Sequence, residues 1–188
     1  MSSTTVNPIK YYNVPYESME PAIARGSDVK GDRAYYFKNH PARWDVVVFL
    51  APEVSKLGSD LGLKRQTASG KCLKLIDVAA KLYEDEGEIY RPQIYYVKRI
   101  IGLPGETIQL TTEGLKIDGE IVSPPSELKD RFSSFKKRAS HKFGVEPFRI
   151  PGDSVFLIGD NAELDVMDSR VHGPVPVGNL EARVLDVC

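Results

Sequence analysis

The chain has 188 residues, 25 Lys and Arg against 26 Asp and Glu, 41% hydrophobic and 27% charged, a composition that can bury a core and excludes a disordered or collagen-like chain. The formal net charge is −1 with both signs spread along the chain, so no basic field is present to hold a phosphate backbone and nucleic acid is not an expected partner. The 13 Pro and 15 Gly are scattered, which favours many turns between short elements over a helical bundle.

Residues 1–10 contain no apolar stretch of secretory-signal type, and export is not expected from them. Residues 11–16 read as extended and lead into Ser18-Met19-Glu20-Pro21, where the proline discourages a helix. Strands are expected at 34–37, 45–50, 94–101, 115–118 and 154–158, all rich in β-branched and aromatic residues. Turn chemistry bounds them at Lys30-Gly31-Asp32, Leu103-Pro104-Gly105 and Pro151-Gly152-Asp153. Asp118-Gly119, between Leu115-Lys116-Ile117 and Glu120-Ile121-Val122, is the strongest hairpin signal.

Two segments interrupt this rhythm. Residues 53–92 carry Leu75, Val78, Ala79 and Leu82 on one helical face, the pattern of a helical insertion. Residues 123–149 are polar, with Pro124, Pro125 and Pro147 and a basic run Lys136-Lys137-Arg138; they read as a surface excursion with a short helix and a solvated basic face. The whole is expected to be one mainly β, antiparallel domain over residues 1–188, with insertions at about 53–92 and 123–149.

The longest apolar run, residues 46–51, falls far short of the roughly 20 residues that cross a bilayer. The two cysteines, Cys72 and Cys188, are far apart, and neither a disulfide framework nor a metal site is expected.

Three patterns can carry chemistry. Ser18 sits where an extended segment gives way to a turn. Lys98 lies inside the apolar run Tyr96-Val97-Lys98-Arg99-Ile100-Ile101. Strand alternation puts Tyr96, Lys98 and Ile100 on one face and Val97, Arg99 and Ile101 on the other, so apolar residues occupy both faces; the alternative is a half-exposed strand with Lys98 pointing outward. A buried lysine without a carboxylate partner loses its proton. Working as a base near neutrality requires a fall of about 3 pKa units, a cost of roughly 4 kcal/mol that burial can impose. The third pattern is Gly159-Asp160-Asn161 followed by Asp168-Ser169-Arg170-Val171-His172-Gly173, a loop rich in side chains that bond backbone, in which Asp168 and Arg170 can form an ion pair.

Taken in order, Ser18-Met19-Glu20-Pro21, the run from Tyr96 through Gly102-Leu103-Pro104-Gly105-Glu106, and the Gly159-Asp160-Asn161 and Asp168-Ser169-Arg170 loop closely resemble the bacterial type I signal peptidases. Gly31-Asp32-Arg33, the block from Arg43-Trp44 to Phe49, and Ile117-Asp118-Gly119 extend the likeness, which covers residues 14–184 apart from the two insertions. The resemblance implies a coiled antiparallel β-sheet carrying a Ser-Lys dyad, with Ser18 as nucleophile and Lys98 as general base. It also implies an oxyanion donor in the Ser18 N–H, and an extended substrate lying between Pro15, Tyr16 and Glu17 on one side and Tyr95, Tyr96 and Val97 on the other. Arg99, Asp160, Asp168, Ser169 and Arg170 become structural supports. No cofactor is implied, and His40, His141 and His172 need no catalytic role.

The implied activity is endoproteolysis of exported precursors, after small residues at −1 and −3 of a signal peptide, at the extracytoplasmic face of the cytoplasmic membrane. Alternatives are a non-catalytic peptide-binding relative, a self-cleaving repressor-type Ser-Lys peptidase, and a cytoplasmic location. Three departures from the family pattern stand out. Tyr16 replaces a small residue two positions before the serine, which leaves the second oxyanion donor open. Ala162 and Val166 stand where the family has an Arg and a Ser, so Asp165 or Ser169 would have to orient the lysine. The membrane anchor that normally presents the catalytic domain is not among the segments recognised.

Overall fold

The computed structural model describes residues 8–50, 95–161, 164 and 168–188. The chain divides into two compact units, residues 1–49 with 96–188 and residues 50–95. Nearly all of the second unit, including the segment 53–92 read as a helical insertion, lies outside the described residues.

Eleven strands are described. β1 (Ile9–Asn13), β2 (Asp28–Asp32), β3 (Val46–Leu50), β4 (Tyr95–Gly102), β9 (Ser154–Ile158), β10 (Val175–Pro176) and β11 (Leu180–Val187) form a seven-stranded sheet in the order β1-β2-β11-β3-β4-β9-β10. β5 (Thr107–Thr111), β6 (Gly114–Ile117), β7 (Glu120–Val122) and β8 (Phe148–Arg149) form a second sheet in the order β7-β6-β5-β8. The pairings β1–β2, β2–β11, β11–β3, β4–β9 and β9–β10 are all antiparallel. The mainly β, antiparallel class read from the sequence is what the protein adopts.

Register shifts between Val184 and Asp186, between Leu180 and Ala182, and between Ile100 and Gly102 bend the larger sheet, because an extra residue in one strand raises the local twist. The hairpin at Asp118-Gly119 joins β6 to β7 with Ile117 opposite Glu120. Asp118 has φ 52° and Gly119 φ 92°, the two positive angles that match the twist of the flanking strands.

Three expectations are corrected. Residues 34–37 are not a strand but part of a single helical turn, α1 (Tyr35–Lys38). Local side chains win over β propensity there: the Asp32 carboxylate accepts the Ala34 N–H at 2.8 Å, and the Asn39 amide donates to the Tyr35 carbonyl at 2.8 Å. Phe37 is 86% exposed, so no burial rewards an extended conformation. Lys30-Gly31-Asp32 is not a turn but the end of β2, with Gly31 opposite Lys10 and Val184. The backbone, by contrast, is still extended at Tyr16 (φ −127°, ψ 159°) and gives way at Ser18 to a 3-10 turn, Glu17–Met19, separated from Pro21 by Glu20.

The segment 123–149 is more than a surface excursion. A 3-10 turn (Ser126–Leu128) runs into a helical turn, α2 (Lys129–Phe132). Leu128, Phe132 and Phe135 are buried with Ile101, Ile108, Leu115, Ile117, Ile150, Phe156 and Ile158. Apolar residues spaced through a polar sequence hid this contribution. Lys136 and Lys137 are exposed as read. A second cluster of Val47, Phe49, Ile100, Val155, Leu157, Val175 and Leu180 lies along β3, β4, β9, β10 and β11.

Candidate active site

The C-terminal part of β4 is paired with β9, Arg99 opposite Ile158 and Ile100 opposite Leu157, and every residue from Val97 to Gly102 is buried. Lys98 is therefore held within the protein, only 2% exposed; the alternative of an outward-pointing lysine is not what the strand adopts. Its Nζ donates to Ser18 Oγ at 2.8 Å and to the Val97 carbonyl at 3.0 Å. Ser18 and Lys98 are 80 positions apart in sequence, and Ser18 itself is buried.

Packing against the loop after β9 brings Ser18 to Lys98. The Asn161 N–H donates to the Ser18 carbonyl at 3.1 Å, and the Asn161 side-chain amide donates to the Glu17 carbonyl at 3.3 Å. Gly159 permits the approach, since a Cβ there would lie 2.5 Å from the Ser18 carbonyl oxygen and 3.7 Å from Lys98 Cδ. No side chain caps the 3-10 turn at Tyr16, and a turn bonded i to i+3 has no carbonyl of its own for the amides of Glu17 and Ser18.

The supports form two buried ion pairs. Arg99 grips Asp160 with both ends of its fork, Nε to Oδ1 at 2.7 Å and Nη2 to Oδ2 at 2.6 Å, and its Nη1 donates to the Trp44 carbonyl at 2.7 Å. Arg131 adds a bond to Asp160 Oδ2 at 3.1 Å. Asp168 caps α3 (Ser169–His172), accepting the Arg170 N–H at 3.0 Å and the Arg170 Nη2 at 2.7 Å. Its other task is to accept the Gly159 N–H at 3.3 Å, which ties the turn to the loop over Ser18. The Ser169 hydroxyl accepts the Leu157 N–H at 2.9 Å, a bond that anchors α3 to β9.

Burial pulls the Lys98 amine down from an ordinary 10.5 to about 8; Asp168 opposes the fall, Arg170 assists it and Asp160 opposes it. Carboxylates beside the amine would hold its proton, but both are shared with guanidinium groups, which limits their pull. The His172 imidazole is lowered, chiefly by burial.

The structure thus brings together Ser18, Lys98, Arg99, Asp160, Asp168, Ser169 and Arg170. Pro15 and Tyr16 are exposed, Glu17, Tyr95 and Tyr96 half-buried, and Val97 buried. Ala162, Asp165 and Val166 lie outside the described residues. Gly159, Asn161 and Trp44, whose φ of 75° turns the backbone at the start of β3, stand in motifs that the sequence marks without showing their task; Arg131 is marked by nothing in the local sequence.

The model of the family described as signal peptidase, peptidase S26, matches residues 3–187. The chain belongs to this family. Signal peptidase I T of Bacillus subtilis is 39% identical over 42% of this chain and 40% of its own length. Signal peptidase I of Leptolyngbya laminosa is 29% identical over 92% of this chain and 64% of its own length. The chain therefore matches less than two thirds of either relative. A crystal structure of a signal peptidase I from Enterococcus faecalis V583 aligns over 79% of this chain and 98% of its own, at 22% identity and a TM-score of 0.44. Among the described residues of this S26 family member, no helix is long and apolar enough to cross a membrane.

Proposed function

We propose that the protein is a serine endopeptidase that removes signal peptides from exported precursors, with Ser18 as nucleophile and Lys98 as general base. The observation that carries this reading is the 2.8 Å contact between Lys98 Nζ and Ser18 Oγ in a site that draws the amine down to about 8. At that value a sizeable fraction is neutral near physiological pH and accepts the hydroxyl proton as the serine oxygen adds to the scissile carbonyl. The same amine, now an ammonium, returns the proton to the leaving amine. Water repeats the sequence on the acyl-enzyme.

The Ser18 amide, without an acceptor in its own turn, is the donor for the oxyanion. The Val97 carbonyl orients the amine, which gives the lysine a backbone partner independent of Asp165 or Ser169. β9 ends at Ile158, opposite Arg99, so residues 95–98 run past its end on the side where Ser18 lies. Ladder alternation turns the Val97 backbone groups to the same edge as those of Arg99. An extended segment fits there as an added strand beside residues 15–17, with Tyr95, Tyr96 and Val97 on its other side. Small residues at −1 and −3 suit a buried serine with little room beside it. The substrates place the work at the extracytoplasmic face of the cytoplasmic membrane, and the partners are precursors presented at that surface.

The test is cleavage of a precursor bearing an Ala-x-Ala signal by the wild type, Ser18→Ala and Lys98→Ala. Wild-type cleavage, a loss of about 10⁴-fold or more in either variant, and activity that rises with pH through about 8 are expected. Equal cleavage by Lys98→Ala ends the dyad; tight peptide binding without cleavage by the wild type favours a non-catalytic binder.

A further inference from the structure

Asp160 receives two guanidinium groups, and only one of them belongs to the strand that carries Lys98. Arg99 holds both carboxylate oxygens from β4, while Arg131 reaches Oδ2 from α2 in the segment 123–149. The Asp160 side chain is fully buried and that of Arg131 is 22% exposed. The next residue, Phe132, is fully buried with its ring centroid 5.5 Å from that of Trp44, and Trp44 supplies the carbonyl that accepts Arg99 Nη1. Two consecutive residues of α2 thus brace both partners of Arg99. On the other side of Asp160, Gly159 lies against the Ser18 carbonyl and Asn161 donates to it.

We propose that Arg131 is a positioning residue for the Ser18–Lys98 pair, fixing the 159–161 loop against the serine from a segment outside both the Ser18 turn and β4. The inference rests on the Ser-Lys reading above. A carboxylate gripped by one fork can rotate about it; a second guanidinium from a different element fixes its plane, and with it the backbone on either side.

The charges around the amine give a second consequence. β4 contributes Arg99, the 159–161 loop Asp160, α3 Asp168, Arg170 and His172, and α2 Arg131. On neighbouring elements Asp45 is paired with Arg183 and Glu17 lies 4.0 Å from Arg25. The two carboxylates that oppose deprotonation of Lys98 are Asp168 and Asp160, and Arg131 offsets the second. Without Arg131 the field of Asp160 is less compensated, and Lys98 holds its proton to higher pH.

The experiment compares wild type, Arg131→Met and Arg131→Lys in full-length protein, by the pH dependence of kcat/KM on the Ala-x-Ala precursor and by an NMR titration of lysine labelled with ¹³C at Cε. Arg131→Met is expected to lose about tenfold in kcat/KM at neutral pH, with the acid limb and the Lys98 resonance both moved up by about half a pH unit. Arg131→Lys should return the limb to its wild-type position and keep part of the rate loss, since an ammonium restores charge but not the planar fork. Loss of rate with limb and resonance unmoved in Arg131→Met reduces Arg131 to a stability role and overturns the proposal. If Arg131→Met does not fold, Arg131→Lys decides: reduced kcat/KM with an unmoved limb supports positioning, and wild-type kcat/KM overturns it. Because the titration reads Lys98 without turnover, a wild type that cleaves nothing sinks the dyad while Arg131's influence on the amine is still measured.

Discussion

Around the four-stranded sheet the protein buries Ile108, Leu115, Ile117, Leu128, Phe132, Phe135 and Ile150, whereas around the Lys98 stretch of β4 it buries Lys98, Arg99, Asp160, Asp168, Ser169 and Arg170. Both regions are dry, yet one is closed by apolar contact and the other by charge. Buried ion pairs give no stability advantage over apolar residues of similar volume. Their concentration beside one serine therefore reports a demand of chemistry, and the apolar sheet shows what the same chain builds where that demand is absent.

The largest expected effect that would break this comparison comes from a single methyl group. Gly159→Ala places a Cβ 2.5 Å from the Ser18 carbonyl oxygen, a backbone atom that yields only if the Ser18 turn moves away from Lys98. A loss of about 10²- to 10³-fold in kcat/KM is expected, with the melting temperature changed by a few degrees. Gly152, whose Cβ would meet nothing within 4 Å, provides the control: Gly152→Ala should cleave at the wild-type rate. Full activity in Gly159→Ala would show that the tight approach has no part in holding the serine.

These residues also mark how far the sequence could be read. β4, β9 and the Asp118-Gly119 hairpin were legible because their signals are local: β-branched runs and a dipeptide with two positive φ angles. Ser18 and Lys98 were legible through motif order, and burial of Lys98 through apolar neighbours on both faces. The single turn at Tyr35–Lys38 was not, because its cause is a pair of side-chain bonds to backbone that propensity cannot see. Nor was the buried role of Phe132 and Phe135, or the reach of Arg131 to Asp160 across 29 positions; such contacts are made by tertiary packing and leave no period in the sequence.

The cost of burying charge can be measured directly. Lys98 ionises at about 8 in the folded chain against an ordinary 10.5 when unfolded, so between those values the unfolded chain binds more protons and stability rises with pH. Below about pH 8 both states are protonated and the whole penalty, about 3 kcal/mol, is present; above the unfolded value it is gone. Lys98→Met should accordingly be more stable than wild type by about that amount at pH 7 in urea unfolding, and the gain should shrink steadily as pH approaches 10.5. A gain of equal size at pH 7 and at pH 10 would mean that Lys98 does not carry the cost.

The smallest effect belongs to the apolar region and sharpens the contrast from its far side. At the tip of the β6–β7 hairpin Gly119 has φ 92°, and a Cβ added there would meet nothing within 4 Å, so Gly119→Ala touches no neighbour and acts on the backbone alone. A left-handed conformation costs an L residue free energy that glycine escapes, and a destabilisation on the order of 1 kcal/mol is expected. Asp118, already at φ 52°, leaves the turn no freedom to transfer the strain to the preceding residue. Since the described bonds of Ser18 and Lys98 run to each other, to Val97 and to the 159–161 loop rather than to this hairpin, kcat/KM on the precursor should equal that of the wild type at temperatures where both are folded. A Gly119→Ala protein that is folded yet slow would mean that movement at this tip is felt at the serine, and that the apolar sheet is coupled to the reacting groups after all.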